Sequence, residues 1–370
     1  MIPDGVGREE REVLERFGFE RIPFAELRER VASGALRPAS NVVSGIVEPP
    51  ADDDLTQLPE RGSDAYDAAR RAGTAALAAG KIGAVVLAGG MATRFGGVVK
   101  GALEVFDGRS FLELKLADAA RAGERTGGEV PVALMTSFAT DELTRAHVAA
   151  LDLPEPLWFS QYVSLRLTSD GGLFRDETGS VSLYGPGHGD LLEAMRLSGT
   201  LAALRGRGVE HVVVSNVDNL GARIDPVVVG MHVLGGRPLT SEVAPKGGDL
   251  GGAPVRVDGR LQLLEAPRFP PSFDQDEIPV FNTNTTTIAL EALEKPVELT
   301  WLYIEKDVGG RAAVQLERVY HELAAHVPTT LLVVPRGPHG RFAPIKAPAD
   351  LDALRDELRA AFAVDVFDRP

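Results

Sequence analysis

The clearest pattern in the chain is the unbroken apolar run Ile82-Gly83-Ala84-Val85-Val86-Leu87, the signature of a parallel strand buried on both faces. It breaks into the glycine-rich stretch AGGMATRFGGVVKG, Ala88 to Gly101, and a helical period follows from Phe111 to Ala122. Further apolar strands are expected at Val130–Thr136, Leu157–Tyr162, His211–Ser215 and Thr330–Val334, with a short β-like run at Leu103–Phe106. Helical spacing recurs at Asp141–Ala150, Gly189–Arg205, Val314–His326 and Leu351–Ala363. Upstream, Val13, Leu14 and Phe17, then Phe24, Leu27 and Val31, fall at the three- and four-residue steps of two short amphipathic helices. Pro38–Pro59 lacks a period and reads as an extended link, whereas Ser63–Gly80 reads as an alanine-faced helix capped by Ser63. The segment Pro238–Ile304 changes character: turn signals separate β-like runs at Ala253–Val257, Arg260–Leu264 and Thr283–Ala289, an antiparallel addition covering one side of a site. Strands alternating with helices predict an α/β fold with a mixed, mainly parallel sheet, helices on both faces, and ligands bound where the strands end.

Composition narrows the function. The 370 residues contain no cysteine, which removes disulfides, thiolate chemistry and cysteine-held metals. A net charge of -14 argues against a nucleic-acid partner, so a polyanion must be met locally. No apolar stretch approaches the roughly 18 residues of a membrane span, and the charged N-terminus lacks a signal-peptide centre, so a cytoplasmic protein without a membrane partner is expected.

A strand that ends in glycines beside Arg94 and Lys100 and then re-enters a helix presents backbone N–H groups and two cations to phosphate oxygens. It is not a Walker loop, because Gly101 follows Lys100 where serine or threonine is needed, and no G-x-G-x-x-G is present. Asp218, just past the strand His211–Ser215, suits Mg2+, which takes one or two carboxylates plus phosphate oxygens and water; a turn-capping aspartate is the plain alternative. In GPGHGDLLEA, glycines flank His188, and Asp190 is placed to cap the following helix. Lys100, Lys246, Lys306 and Lys346 each adjoin an expected strand end or turn; each alone reads as a surface charge, but convergent cations serve phosphoryl or nucleotidyl transfer. Glu265, Asn282 and Asn284 are polar residues beside apolar runs, fit for sugar hydroxyls or for ordinary turn chemistry.

Taken in order, LAGGMATRFGGVVKG, FSQ at Phe159–Gln161, GPGHGDL, SNVDNLGA, EVAPKGGDLGG with LQLLE, FNTN, VQLE at Val314–Glu317 and RFAPIK resemble the UDP-sugar pyrophosphorylases, nearest their UDP-glucose branch. The resemblance runs from about Lys81 to Leu351 and implies a fold of the nucleotide-diphospho-sugar transferase type. It implies a division into a helical N-terminal segment (1–80), a catalytic domain (81–330) and a short C-terminal segment (331–370) without the β-helical tail of larger members. It also implies a Mg2+-dependent uridylyltransferase acting on UTP and a sugar 1-phosphate, as a monomer or small homo-oligomer. Arg94, Lys100 and Lys306 would be catalytic; Leu87, Ala88, Gly89, Gly90, Gln161, Gly187 and Asp218 would hold the nucleotide, with Asp218 also the metal ligand. His188, Asn219, Lys246, Gly252, Glu265, Asn284 and Lys346 would hold the sugar phosphate. VDNLGA and FNTN look like the glucose branch, while AALAAGKIGAVVLAGG looks nearer the N-acetylglucosamine branch. Ala92 stands where the family has a glycine and Val99 replaces a proline, which suggests a catalytically silent sugar-nucleotide binder as one alternative; the same reaction on galactose or N-acetylglucosamine 1-phosphate is another. A positive φ at Ala92 would cost roughly 1 to 2 kcal/mol.

Overall fold

The computed structural model describes every residue except 93–96, 249–250 and 369–370. Eight strands form the central sheet: β1 (Leu55–Gln57), β2 (Ile82–Leu87), β3 (Val132–Thr136), β4 (Leu157–Ser160), β5 (His211–Asn216), β6 (Leu239–Pro245), β7 (Val280–Ala289) and β8 (Thr329–Val333). They lie in the order β1-β8-β6-β7-β5-β2-β3-β4. β7 is antiparallel to both of its neighbours, while every other pairing is parallel. Both faces are covered, as the apolar runs require. Val85 and Leu87 of β2 join the largest core cluster on one face, while Ile82, Ala84 and Val86 join clusters on the other. The expected mixed, mainly parallel α/β sheet with helices on both faces is the fold observed.

Two glycines decide how closely one helical layer packs. The helices Asp64–Ala78 and Pro226–Gly235 cross where a Cβ on Gly73 would lie 1.8 Å from the Pro226 carbonyl oxygen, and one on Gly230 would lie 1.8 Å from that of Ala69. Ser63 caps the first of these as expected, its Oγ accepting the Tyr66 N–H. The N-terminal helices Arg8–Arg16 and Phe24–Ala32 bury Leu14, Phe24, Leu27 and Val31 in the largest core cluster.

Four expectations fail. Val314–His326 is not a helix: Arg311–Glu317 is a strand paired with Leu302–Val308, and a 3-10 turn, Tyr320–Ala325, follows. Its apolar residues at three- and four-step spacing satisfy a helical template, but hairpin pairing decides the backbone. Gly189–Arg205 is two helices, Asp190–Leu197 and Thr200–Gly206, because Gly199 adopts a left-handed conformation between them. Thr283–Ala289 belongs to the central sheet as β7, whereas Ala253–Val257 and Arg260–Leu264 form the separate antiparallel hairpin. Within the aperiodic link Pro38–Pro59, Leu55–Gln57 pairs with β8 as an edge strand of the sheet.

Candidate active site

The parallel strands β2, β3, β4 and β5 release their carboxyl ends into one cleft of about 540 Å³. It is lined among others by Leu87, Gly89, Gly90, Lys100, Ser137, Gln161, Arg166, His188, Asn216, Asp218 and Gln315. The protein carries a strong negative charge, yet among the described residues the fixed charges lining this cleft are Lys100 and Arg166 against Asp218. Such a local reversal of sign is what a polyanionic ligand needs.

The turn after β2 is tied down from behind. Ser137 Oγ donates to the Gly89 carbonyl at 2.8 Å, Thr140 Oγ1 to that of Ala88 at 3.0 Å, and the Val217 N–H to that of Leu87 at 3.1 Å. The negative ends of these peptide dipoles are therefore neutralised where an anion would lie. Ala92 lies in a short extended strand, Met91–Ala92 paired with Val98–Val99, a region open to any L-residue, so the expected strain does not arise. Arg94 falls outside the described residues.

Lys100 Nζ lies 2.6 Å from Asp218 Oδ2, with both side chains mostly buried. The loop that carries Asp218 is braced from below. Buried Lys115 donates to Ser215 Oγ (3.1 Å) and the Ala222 carbonyl (2.8 Å), and burial pulls its ammonium down to about 8. Among the described residues no cluster of three or more histidine or acidic side chains could cage a metal. A lone carboxylate in an anion-binding cleft fits a hard divalent cation whose remaining ligands are phosphate oxygens and water.

The Gln161 amide is gripped between two glycines. A Cβ on Gly89 would lie 2.6 Å from its Oε1, and one on Gly185 1.7 Å from its Nε2. Asp190, expected to cap its helix, makes no cap bond; it accepts the Tyr162 N–H at 2.9 Å and pairs with Arg318 Nη2 at 2.5 Å, joining the Gln161 strand end to the Arg311–Glu317 hairpin. Burial pushes its carboxyl up to about 6 despite Arg318. Gly187 does not line the cleft; its left-handed backbone packs against the Arg318 carbonyl, so a Cβ there would sit 2.4 Å from that oxygen.

His188 lines the cleft, and its Nδ1 accepts the Tyr320 N–H at 3.2 Å, leaving Nε2 as the ring's donor. Burial lowers this histidine to about 4, with His321 adding to the effect, so it is neutral at physiological pH. Asn284 is not among the cleft-lining residues but adjoins one: it holds a left-handed backbone (φ 57°), donates through Nδ2 to Asn216 Oδ1 at 2.9 Å, and its own buried Oδ1 has no partner among the described residues. A buried acceptor without a donor is costly unless a ligand supplies one. Glu265 approaches so closely that a Cβ on Gly252 would lie 2.9 Å from its Oε1. Burial pushes the Glu265 carboxyl up, but the His321 and His188 rings more than offset it and hold it below its usual value.

The remaining predicted residues divide. Lys306 does not line the cleft. It is exposed on the Leu302–Val308 strand, but Lys306, Gln315 and Glu317 share one face of that hairpin, and Gln315 reaches the cleft. Burial raises the Glu317 carboxyl, and the Lys306 charge works against that rise. Asn219, 1% exposed, does not face the cleft: its amide donates to Thr285 Oγ1 and the Arg341 carbonyl and accepts the Ala343 N–H. The Lys246 ammonium is taken by the Gln275 carbonyl at 2.6 Å and Asp276 at 3.0 Å, away from the cleft lining. Lys346 is exposed beside Ile345, whose N–H binds the Asp218 carbonyl.

Sequence reasoning missed Ser137, Arg166 and Gln315. Ser137 follows a parallel strand directly, which is a usable signal; Arg166 has none, and Gln315 sat in a stretch misread as helix. Gln315, in the amide orientation that satisfies both neighbours, accepts from Arg166 and donates to Glu317 Oε1 at 2.9 Å.

The family described as UTP–glucose-1-phosphate uridylyltransferase matches residues 37–361. The proteins of that name from Solanum tuberosum and Astragalus penduliflorus are 32% identical over 298 residues and 31% over 296, covering 75% of this chain and 62% of each relative. The chain thus spans about 62% of the length of these relatives. UDP-glucose phosphorylase from Trypanosoma brucei superposes with a TM-score of 0.72 at 23% identity, covering 93% of this chain and 78% of that one. Uridine diphosphate N-acetylglucosamine pyrophosphorylase from the same organism superposes with a TM-score of 0.73 at 18% identity, covering 88% and 75%. These superpositions establish a shared fold.

Proposed function

The chain belongs to the UTP–glucose-1-phosphate uridylyltransferase family, and from that premise we propose that it makes UDP-glucose and pyrophosphate from UTP and glucose 1-phosphate. A phosphate oxygen of the sugar phosphate attacks the α-phosphorus of UTP in line; the new P–O bond forms as the bond from the α-phosphorus to the bridging oxygen breaks, and pyrophosphate leaves. The attacking phosphate is already ionised at neutral pH, so no enzyme nucleophile is required. What the chain must supply is alignment and charge neutralisation.

The observation that carries this reading is the convergence of the glycine turn, Lys100, Asp218 and Gln161 on one cleft at the carboxyl ends of parallel strands. Gly89 and Gly90 meet the triphosphate, Lys100 offsets its charge, and the Gln161 amide reads the uracil edge. Asp218 would hold Mg2+, and the ion would lower the negative charge that the two substrates present to each other. Lys306 approaches the phosphates from the facing hairpin. Glu265, Asn284 and His188 offer two acceptors and one donor, a set suited to the hydroxyls of a hexose.

Pyrophosphate release from UTP and a panel of sugar 1-phosphates tests the reading. Release with glucose 1-phosphate at a kcat/KM at least tenfold above that with galactose or N-acetylglucosamine 1-phosphate is expected. Binding of UTP without release on any of them defeats it. Among the described residues no helix is long and apolar enough to cross a bilayer.

A further inference from the structure

Three residues given to the sugar lie on three different elements: His188 in the GPGHG loop, Glu265 after the outer hairpin, and Asn284 in the middle of β7. One short segment touches all of them. The Tyr320 N–H fixes the His188 ring through Nδ1, the Tyr320 hydroxyl donates to the Asn284 carbonyl at 3.0 Å, and His321 Nε2 lies 3.0 Å from Glu265 Oε1. His321 is 1% exposed, and neither of its ring nitrogens makes an aligned hydrogen bond among the described residues. Tyr320 is fully buried in the core, and among the described residues its hydroxyl otherwise meets Thr286 Oγ1, which donates to it at 3.2 Å.

We propose that Tyr320 and His321 are the positioning residues of the sugar end of the cleft. This rests on the uridylyltransferase reading and deepens it. Tyr320 selects the His188 tautomer that leaves Nε2–H as donor. It also holds the peptide of Asn284, whose left-handed backbone would otherwise relax at a cost to the placement of the unpartnered Oδ1. His321 turns one Glu265 oxygen towards itself, which leaves the other, on a carboxylate still 27% exposed, to accept from a sugar hydroxyl. A 1 Å drift in any of these three groups breaks the pattern of acceptors and donor, so a buried polar pair behind them is the expected support.

The test separates sugar from nucleotide by titrating the full chain calorimetrically with UDP and with UDP-glucose. Wild type is expected to bind UDP-glucose more tightly than UDP. His321→Phe keeps the ring's bulk and removes both nitrogens; it should lose about tenfold in UDP-glucose affinity and leave UDP within twofold, as the loss of one charge-assisted contact predicts. His321→Gln, which restores an N–H donor near the Nε2 position, should recover most of that loss, and a merely structural role would show no such recovery. Unchanged UDP-glucose affinity in His321→Phe, or an equal fall for both ligands, overturns the proposal. If circular dichroism shows His321→Phe unfolded, Tyr320→Phe, which removes one hydroxyl, carries the same test with a severalfold loss confined to UDP-glucose. Because the readout is binding, the proposal stands or falls on it even if the pyrophosphate assay shows the chain to be silent.

Discussion

Replacing Gly185 by alanine puts the proposed base-reading amide to a geometric test. Gly185 is not among the left-handed glycines, so alanine meets no backbone penalty there. Its Cβ would stand 1.7 Å from Gln161 Nε2, 2.9 Å from Cδ and 3.7 Å from Cγ. The stem of Gln161 is at an ordinary distance, and only the amide must yield; regaining a contact of 3.4 Å moves Nε2 by about 1.7 Å. The Oε1 end of the amide already faces Gly89, where a Cβ would stand 2.6 Å away, so there is little room to slide and the amide is expected to swing out of register. Two neutral hydrogen bonds to a base are worth about 2 kcal/mol together, which is roughly thirtyfold in affinity. The fold should lose less than about 1 kcal/mol, since the clash is with a flexible tip. Calorimetric titration with UTP measures Gly185→Ala, Gln161→Ala and the double variant. The expectation is that each single change costs about the same and that the double costs no more than either, because both remove one interaction. UTP affinity unchanged in Gly185→Ala, or losses that add, would refute the idea that this glycine exists to seat Gln161.

Other consequences are as direct. Lys306→Ala should lower kcat about a hundredfold while leaving the unfolding midpoint in place, because the side chain is exposed and its proposed duty is to transition-state charge; turnover near wild type removes it from the mechanism. Asn219→Ala should cost about 3 kcal/mol in urea unfolding, since a buried Ala343 N–H and Arg341 carbonyl lose their partner; a loss below about 1 kcal/mol would return Asn219 to the ligand side of the loop. His232, buried behind β5 and bonded to Thr240 and His211, is lowered by burial, then by His211, to about 3 from an ordinary 6.5. A depressed histidine contributes stability that is complete above pH 6.5 and is lost as pH falls towards the folded value. Between pH 6.5 and 4.5 that loss amounts to about 2 kcal/mol. Urea unfolding at pH 7 and 4.5 should therefore show a smaller acid loss in His232→Gln than in wild type, and parallel losses would exclude this histidine as the cause.

The sheet, its parallel character and the strand ends that bear the ligand cleft were legible in the sequence, because burial on two faces forces unbroken apolar runs such as Ile82–Leu87 and turns that must be glycine. The lone Asp218 after β5 and the glycine turn after β2 were legible for the same local reason: a strand's exit is written in the residues that make it. What lay beyond the sequence was every relation between separate strands. The apolar spacing of Val314–His326 fits a helix equally well, and only pairing with Leu302–Val308 makes its start, Val314–Glu317, part of a strand, bringing Gln315 to the cleft and setting Lys306 on the same hairpin face. Nor does the sequence show why the Asn219 amide is fully used and that of Asn284 is not: the RFAPIK segment returns to occupy the first, whereas the second meets the cleft-lining Asn216. Local chemistry specifies which groups a residue can hold, but which of them arrives is settled when separate chain segments pack against each other.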